Sequence, residues 1–309
     1  MATSQRRVEF GYNPPSGTRG IEHFPRETYV RDLQNALDIA SQSFSSLWVS
    51  DHLMTVEPFR MECWTMLTWI AARYPGQMLG HIVLANSFRH PPLMAKMAAT
   101  LQAFSRGRLI LGYGAGWLEK EYRAYGYEFP STKVRIEQMV EALQIMRLMW
   151  TTSPATFNGR YYQIQEAYCE PLPDPLPIVM IGGTGERLTL RAVAEHADWW
   201  NAVMRPLPEL QRKFDVLKQH CEDIGRDYDS VRKTITRTVY LAESKVEAER
   251  WAGAHGQPES AFVGEPAALV DHLHELINLG FDQFQMVFAG FPDTRDLELF
   301  VDKVMPAFA

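Results

Sequence analysis

Residues 79–92 read LGHIVLANSFRHPP and residues 108–117 read RLILGYGAGW, and with the run between them they decide the fold. Residues 79–85 are apolar and partly β-branched, which predicts a buried strand. Residues 93–104 carry apolar side chains at helical spacing after two prolines, which suit the first turn of a helix. The short apolar run at 108–111 predicts a second buried strand. A strand, a helix and a strand joined by short connections form a βαβ unit, which implies a parallel sheet.

Polar or glycine-rich residues follow both of these strands. In parallel α/β folds, ligands bind at the carboxyl ends of the strands. Residues 82–89 and 112–117 are therefore the first candidates for a functional site. Gly112, Gly114 and Gly116 either let the backbone approach a ligand closely or only permit tight turns, and the sequence leaves both interpretations open.

The same strand and helix pattern repeats along the whole chain. Strands are predicted near Phe10, Leu47, Val83, Ile110, Val179, Trp200, Val239 and Met286, and a helical stretch follows each one. Eight such units predict a closed (β/α)8 TIM barrel of the α/β class. The 309 residues fit a single domain that spans residues 1–309. Residues 152–177, with an Asn158-Gly159 turn and several prolines, are predicted to be an insertion in one loop.

Composition argues against several classes of function. The net charge is −6 and no basic cluster stands out, so a nucleic-acid partner is not expected. The three cysteines are far apart, which predicts neither a metal site nor a disulfide framework. No run approaches the roughly 20 apolar residues of a membrane helix. The first residues lack the apolar core of a signal peptide, and a cytoplasmic location is predicted.

Five motifs carry a family resemblance. They are LWVSDHL at 47–53, SFRHP at 87–91, SRGR at 105–108, LGYGAGW at 111–117 and IGGTG at 181–185. In this order, at strand ends and helix starts, they resemble the luciferase-like monooxygenase superfamily, and within it the F420-dependent oxidoreductases. The resemblance implies hydride transfer between the deazaflavin F420 and a small organic substrate. The alternatives are an FMN-dependent monooxygenase that uses reduced flavin and O2, and a flavin carrier without turnover. The resemblance also suggests that the protein is a homodimer.

The resemblance assigns roles to individual residues. It places Asp51 and His52 beside the cofactor ring, a bulge with a non-proline cis peptide at Ile82–Val83 behind the ring, and Gly182, Gly183 and Thr184 around the cofactor phosphate. The predicted cofactor-binding residues are Asp51, Ile82, Val83, Asn86, Ala115, Gly116, Trp117, Gly182, Gly183 and Thr184.

The chemistry of the side chains leaves some of these roles open. His52 is predicted to be the catalytic proton donor, because histidine titrates near neutral pH, although a strand-end histidine can also be structural. Arg89 could bind an anionic group or tie its loop to a helix. Glu119 and Glu121 are predicted to be charges at a helix start. Trp200 and Phe288 are predicted to line an aromatic substrate pocket.

Overall fold

The computed structural model describes residues 7–17, 27–55, 59–255 and 260–309. The strands are β1 (Glu9–Tyr12), β2 (Ser46–Val49), β3 (Met78–His81), β4 (Leu84–Ala85), β5 (Leu109–Gly114), β6 (Ala155–Asn158), β7 (Gln163–Ala167), β8 (Ile178–Gly182), β9 (Trp199–Ala202), β10 (Arg232–Leu241), β11 (Phe262–Gly264) and β12 (Gln283–Phe288). The helices are α1 (Tyr29–Ala40), α2 (Cys63–Arg73), α3 (Pro91–Ser105), α4 (Glu119–Ala124), α5 (Thr132–Thr151), α6 (Thr189–His196), α7 (Leu207–Asp223), α8 (Lys245–His255), α9 (Pro266–Leu279) and α10 (Arg295–Lys303).

Eight parallel strands close into a ring, which confirms the predicted barrel. The hydrogen-bonded order is β1, β2, β3, β5, β8, β9, β10 and β12, and β12 pairs with β1 again. Short strand β4 extends the third position by pairing with β5, and β11 adds a strand beside β10. Strands β6 and β7 form an antiparallel hairpin between α5 and β8.

A tryptophan fills part of the barrel interior. Trp48 is fully buried and forms a small apolar cluster with Ile110 and Met180. Gly11 and Gly80 make this packing possible, because a Cβ atom at either position would lie 2.2 Å from the Trp48 indole. The interior of this barrel is therefore a packed core, as in other (β/α)8 folds.

A chain of polar side chains also occupies the interior. Asn201 Nδ2 donates to Gln285 Oε1 at 2.8 Å and to Thr234 Oγ1 at 3.0 Å. Gln285 Nε2 donates to Gln283 Oε1, and Gln283 Nε2 donates to Ser46 Oγ at 3.1 Å. These groups are buried, and each one satisfies its neighbour's hydrogen-bonding capacity. They fix the orientation of Asn201, which is the one of these hydrogen-bonded side chains that lines the cleft above.

The third strand is interrupted where the sequence predicted a bulge. Strand β3 ends at His81, the Ile82–Val83 peptide is cis as predicted, and β4 resumes at Leu84. The Val83 side chain occupies space that two glycines leave open. A Cβ atom on Gly114 would lie 2.7 Å from a Val83 methyl group, and one on Gly182 would lie 2.8 Å from the other.

The hairpin is tied to the long helix α5 by one carboxylate. Glu141 accepts hydrogen bonds from the backbone N–H groups of Arg160, Tyr161 and Tyr162 at 2.8–3.1 Å. The turn between β6 and β7 is therefore held against the outside of the barrel. None of the helices in the described ranges has the length and apolarity that crossing a bilayer requires.

Candidate active site

A cleft of about 730 Å³ opens at the carboxyl ends of the barrel strands. Most of the predicted site residues line it, namely Asp51, His52, Ile82, Val83, Ala115, Gly116, Trp117, Gly182, Gly183 and Thr184. The volume lies within the roughly 300–1,000 Å³ range of small-molecule and cofactor sites. The structure thus brings together residues that are more than 130 positions apart in the sequence.

Trp200 lies outside this cleft, which corrects its predicted role as a substrate-pocket residue. Its side chain is fully buried and packs edge-to-face against Phe214 of α7, with ring centroids 5.4 Å apart. Side chains alternate along a strand, so Asn201 faces the cleft while Trp200 points to the surrounding helices. The indole Nε1 donates to the carbonyl oxygen of Gly183 at 2.8 Å, so Trp200 supports the cleft from behind.

The prediction for Phe288 is wrong for the same reason. Val287 lines the cleft, and the next side chain, Phe288, points outward into the apolar layer. There it packs against Tyr12, Phe44 and Phe300, with centroid separations of 5.3–6.2 Å. An error of one residue in the parity of a strand therefore moves a predicted site residue into the core.

Asn86 is a third predicted site residue that does not line the cleft. Its side chain is buried, its Nδ2 donates to Tyr162 Oη at 3.1 Å, and its Oδ1 accepts from Tyr113 Oη at 2.9 Å. Both ends of the amide are thus engaged by protein. Asn86 connects the hairpin to strand β5 and stabilises the end of β4.

Asp51 lines the cleft, and its carboxylate forms a buried pair with Arg89, which lies behind the cleft wall. Arg89 Nη1 donates to Asp51 Oδ2 at 2.8 Å, and Nη2 donates to Oδ1 at 3.2 Å. The N–H group of Ala85 also donates to Asp51 at 2.9 Å. Arg89 further contacts Glu62, the N-cap of α2, at 2.6 Å. Of the two interpretations that the sequence left open for Arg89, the structure supports the one in which it ties its loop to a helix.

The contacts of Glu62 lower the pKa of its carboxyl group. Partial burial alone would raise the pKa of its carboxyl group, but hydrogen bonds from the N–H groups of Thr65 and Trp64 and from Arg89 outweigh it and lower the pKa to about 2. Asp51, Glu62 and Cys63 lie close enough together to suggest a metal site. The Arg89 guanidinium already forms ion pairs with both carboxylates, so this cluster is an ion-pair network.

His52 stands at the cleft wall between an acid and an aromatic ring. Its Nδ1 lies 3.2 Å from Glu121 Oε2, and its imidazole meets the edge of the Trp117 ring at 5.8 Å and 87°. Trp117 is 71% exposed and forms the rim of the cleft. Glu119 fits its predicted role, since it is exposed and pairs with Arg123. Glu121 also lies in the first turn of α4 as predicted, but its side chain is buried in the wall.

Arg135 is a cleft residue that the sequence reasoning missed. It is 7% exposed, its guanidinium lies 3.8 Å from the Phe129 ring centroid, and it donates to the Pro130 carbonyl. Its Nε has no hydrogen-bond partner, and no carboxylate in the described ranges forms an ion pair with it. The periodicity of α5 suggested only core positions, but Thr132, Arg135 and Met139 all line the cleft.

The loop after β8 supplies polar backbone to the opposite side. Gly183 has a φ of +128°, and its N–H donates to the Asn201 carbonyl at 3.0 Å. In the part of the chain that the structure describes, the N–H groups of Thr184 and Gly185 have no backbone acceptor. Glu186 binds Lys213 at 2.6 Å and so fastens this loop to α7. The loop therefore offers two free N–H groups in a fixed position.

Comparisons with known proteins agree with this architecture. The family model described as luciferase-like monooxygenase matches residues 8–294. An F420-dependent glucose-6-phosphate dehydrogenase of Kineococcus radiotolerans is 34% identical over 156 residues, which cover 48% of this chain and 46% of the relative. A phthiodiolone/phenolphthiodiolone dimycocerosates ketoreductase of Mycobacterium sp. strain JLS is 30% identical over 265 residues, which cover 77% of this chain and 67% of the relative. The match to the first relative thus spans about half its length.

The fold also matches solved structures over nearly the whole chain. An F420-dependent secondary alcohol dehydrogenase, in complex with an F420-acetone adduct, has a TM-score of 0.83 and covers 98% of this chain and 100% of its own. The identity is 19%, so this likeness bears on the fold alone.

Proposed function

The chain belongs to the luciferase-like monooxygenase family, and on that premise we propose that it is an oxidoreductase that uses F420 to transfer a hydride to or from a small organic substrate. The observation that carries the proposal is the position of His52. It lies in one cleft with the Ile82–Val83 bulge and the Gly182–Thr184 loop, so that a proton-transfer group faces the space between them. Two relatives named as F420-dependent dehydrogenases support the choice of cofactor.

The residues of the cleft fit a deazaflavin. Ile82, Val83 and Ala115 give one wall an apolar surface that suits a flat aromatic ring. Arg135 brings a buried positive charge whose Nε lacks a partner, and the free N–H groups of Thr184 and Gly185 add donors for an anion. Guanidinium and backbone N–H groups are common partners of phosphate in proteins. We therefore assign the cofactor phosphate to Arg135 and the loop of residues 182–185, which contains the predicted Gly182, Gly183 and Thr184 and the N–H group of Gly185.

The protein and the cofactor divide the chemistry. When bound, F420 supplies the carbon centre that accepts or donates the hydride. His52 supplies or takes the proton that must accompany a change between hydroxyl and carbonyl. Trp117 stands at the rim of the cleft, and the remaining wall holds the substrate in place.

Cofactor titration tests the proposal directly. Purified protein is titrated separately with F420 and with FMN, and the expected result is micromolar or tighter binding of F420. Tight binding of FMN without binding of F420 would instead support an FMN-dependent monooxygenase, which the family name also accommodates. Binding of either cofactor with no turnover on a panel of alcohols, carbonyls and imines would point to a carrier.

A variant at His52 tests the catalytic assignment. His52→Ala should lower kcat by about 10²–10⁴-fold, which is the usual contribution of a general acid or base. Cofactor affinity should change little, because Arg135 and the phosphate loop are intact. An unchanged rate at saturating cofactor and substrate would remove His52 from the mechanism.

The assembly and location of the protein are proposed on more general grounds. Leu93 and Phe104 of α3 are 56% and 80% exposed, and such apolar side chains suit a contact with a second copy of the chain. We propose a homodimer, for which light scattering should give twice the mass of 35.4 kDa. Phe104→Glu should shift that mass to the monomer value. All three cysteines are unpaired, which is compatible with the cytoplasmic location that the sequence predicts.

A further inference from the structure

We propose that Glu121 is a positioning residue that holds His52 in the tautomer with its proton on Nδ1, so that Nε2 exchanges the proton with the substrate. The inference rests on the proposed function of His52 and names the atom through which that residue acts. It also assigns a function to a buried carboxylate that the sequence marked only as a charge at a helix start.

The hydrogen bonds of Glu121 define what it offers to His52. Its Oε1 accepts from the backbone N–H group of Leu53 and from that of Met54 at 3.0 Å. Its Oε2 lies 3.2 Å from His52 Nδ1, and its side chain is only 2% exposed. An ionised carboxylate can only accept hydrogen bonds, so the nitrogen that faces it must be the donor. The geometry therefore selects the Nδ1–H form of the imidazole.

The other ring nitrogen, Nε2, is available for proton transfer. No residue in the described ranges forms a hydrogen bond with His52 Nε2, although the side chain is 21% exposed and lines the cleft. The edge contact with Trp117 restricts rotation of the ring from a second side. In the selected tautomer, neutral Nε2 carries a lone pair, so it can accept a hydrogen bond from a substrate hydroxyl.

The proton and the hydride are then balanced in both directions. A bound F420 would supply the acceptor for the carbinol hydride in oxidation and its donor in reduction, and the residues of this chain handle the proton. When an alcohol is oxidised to a carbonyl, the hydroxyl proton passes to His52 Nε2, and when a carbonyl is reduced, Nε2–H of the imidazolium returns that proton. The Glu121 carboxylate stabilises that imidazolium and keeps it oriented through Nδ1–H. The opposite tautomer would present an N–H group to the hydroxyl and could not accept its proton.

The sequence around Gly116 explains how Glu121 reaches His52. Gly116 has a φ of +74°, and a Cβ atom there would lie 1.7 Å from Tyr122 Oη. Only glycine lets the chain turn sharply after β5 and pack Tyr122 of α4 against the turn. Glu121 precedes Tyr122 on α4, and its carboxylate thereby meets the Leu53 and Met54 amides.

The tautomer can be measured without cofactor or turnover. Nitrogen-15 NMR of the imidazole distinguishes the protonated from the unprotonated ring nitrogen, and His52→Ala assigns the signals. Wild type should show the Nδ1–H form. Glu121→Gln should shift the population to Nε2–H, because the amide NH2 group can donate to Nδ1. Glu119→Gln is the matched control, since Glu119 lies on the same helix, is exposed and does not contact His52, and it should leave the wild-type pattern unchanged.

Turnover gives the second readout. Glu121→Gln should lower kcat by about 10²-fold, within the range of a general acid–base contribution, while F420 affinity stays the same. An Nε2–H form in wild type would overturn the inference, and that measurement needs no variant at Glu121. So would an unchanged tautomer in folded Glu121→Gln, or a shifted tautomer with full activity where His52→Ala is inactive. If His52→Ala retains full activity, the proposed function of His52 fails instead.

Discussion

Substituting Asp51 by Asn tests whether the pair behind the cleft wall is structural. The change keeps the shape of the side chain but removes the charge that Arg89 contacts at 2.8 and 3.2 Å. The Arg89 side chain is only 11% exposed, so its guanidinium would stay buried without its main partner. Breaking one half of a buried ion pair costs about 3–5 kcal/mol. Because Glu62 still contacts Arg89 at 2.6 Å, we expect the lower end, about 3 kcal/mol.

Urea unfolding followed by tryptophan fluorescence measures this loss. With a slope of about 3 kcal/mol per M, the unfolding midpoint should fall by about 1 M. Glu243→Gln is the control, because Glu243 and Lys303 form a pair in which both side chains are more than half exposed. That variant should lose no more than about 1 kcal/mol. If Asp51→Asn also loses no more than about 1 kcal/mol of unfolding free energy, the reasoning is refuted, since solvent would then screen the buried pair as well.

Three further predictions follow from other parts of the structure. Gly112→Ala should prevent correct folding, because its Cβ would lie 1.8 Å from the backbone oxygen of His81, and a soluble, stable variant would contradict this packing. Burial lowers the pKa of His81 to about 3 from its ordinary value of 6.5. Between pH 6.5 and 3, the imidazole is therefore protonated in the unfolded chain but not in the folded protein. The free energy of unfolding then falls as the pH drops through this range. His81→Phe should therefore show a shallower loss of unfolding free energy between pH 6.5 and 4 than wild type does. Arg135→Met should weaken F420 binding by about 10- to 100-fold, which corresponds to the roughly 1.5–3 kcal/mol of a charge-assisted hydrogen bond, and an unchanged Kd would place the phosphate elsewhere.

The sequence predicted the barrel because each strand and helix leaves a local pattern. Apolar runs near Phe10, Leu47 and Val179 mark strands, and the helices between them show their own periodicity. Strand-end motifs such as residues 50–52 and 181–185 also predicted which residues meet in the cleft, because parallel strands all end on one face. These features depend only on short stretches of chain.

The errors concern contacts that depend on parity and on distant partners. Trp200 and Phe288 are aromatic residues in strands β9 and β12, and the sequence alone did not show whether each one or its neighbour faces inward. Glu121 and Arg135 lie on helices. The position of Glu121 is typical of a surface charge, and that of Arg135 lies beside a core stripe. Only the path of the chain after Gly116 and the position of α5 beside the cleft bring these charges into it.

The packing of Val83 between two glycines has a consequence for how this protein can vary. Any side chain at position 114 or 182 would collide with Val83, so a larger residue at either position requires a smaller one at 83. Gly114 and Gly182 lie at the ends of β5 and β8, and Val83 lies in the break between β3 and β4. The three positions are far apart in sequence, yet we expect them to change only together. Mutational scans should therefore show strong epistasis among them, with single substitutions tolerated poorly and compensated pairs tolerated well. The back wall of the cleft is thus inherited as a unit.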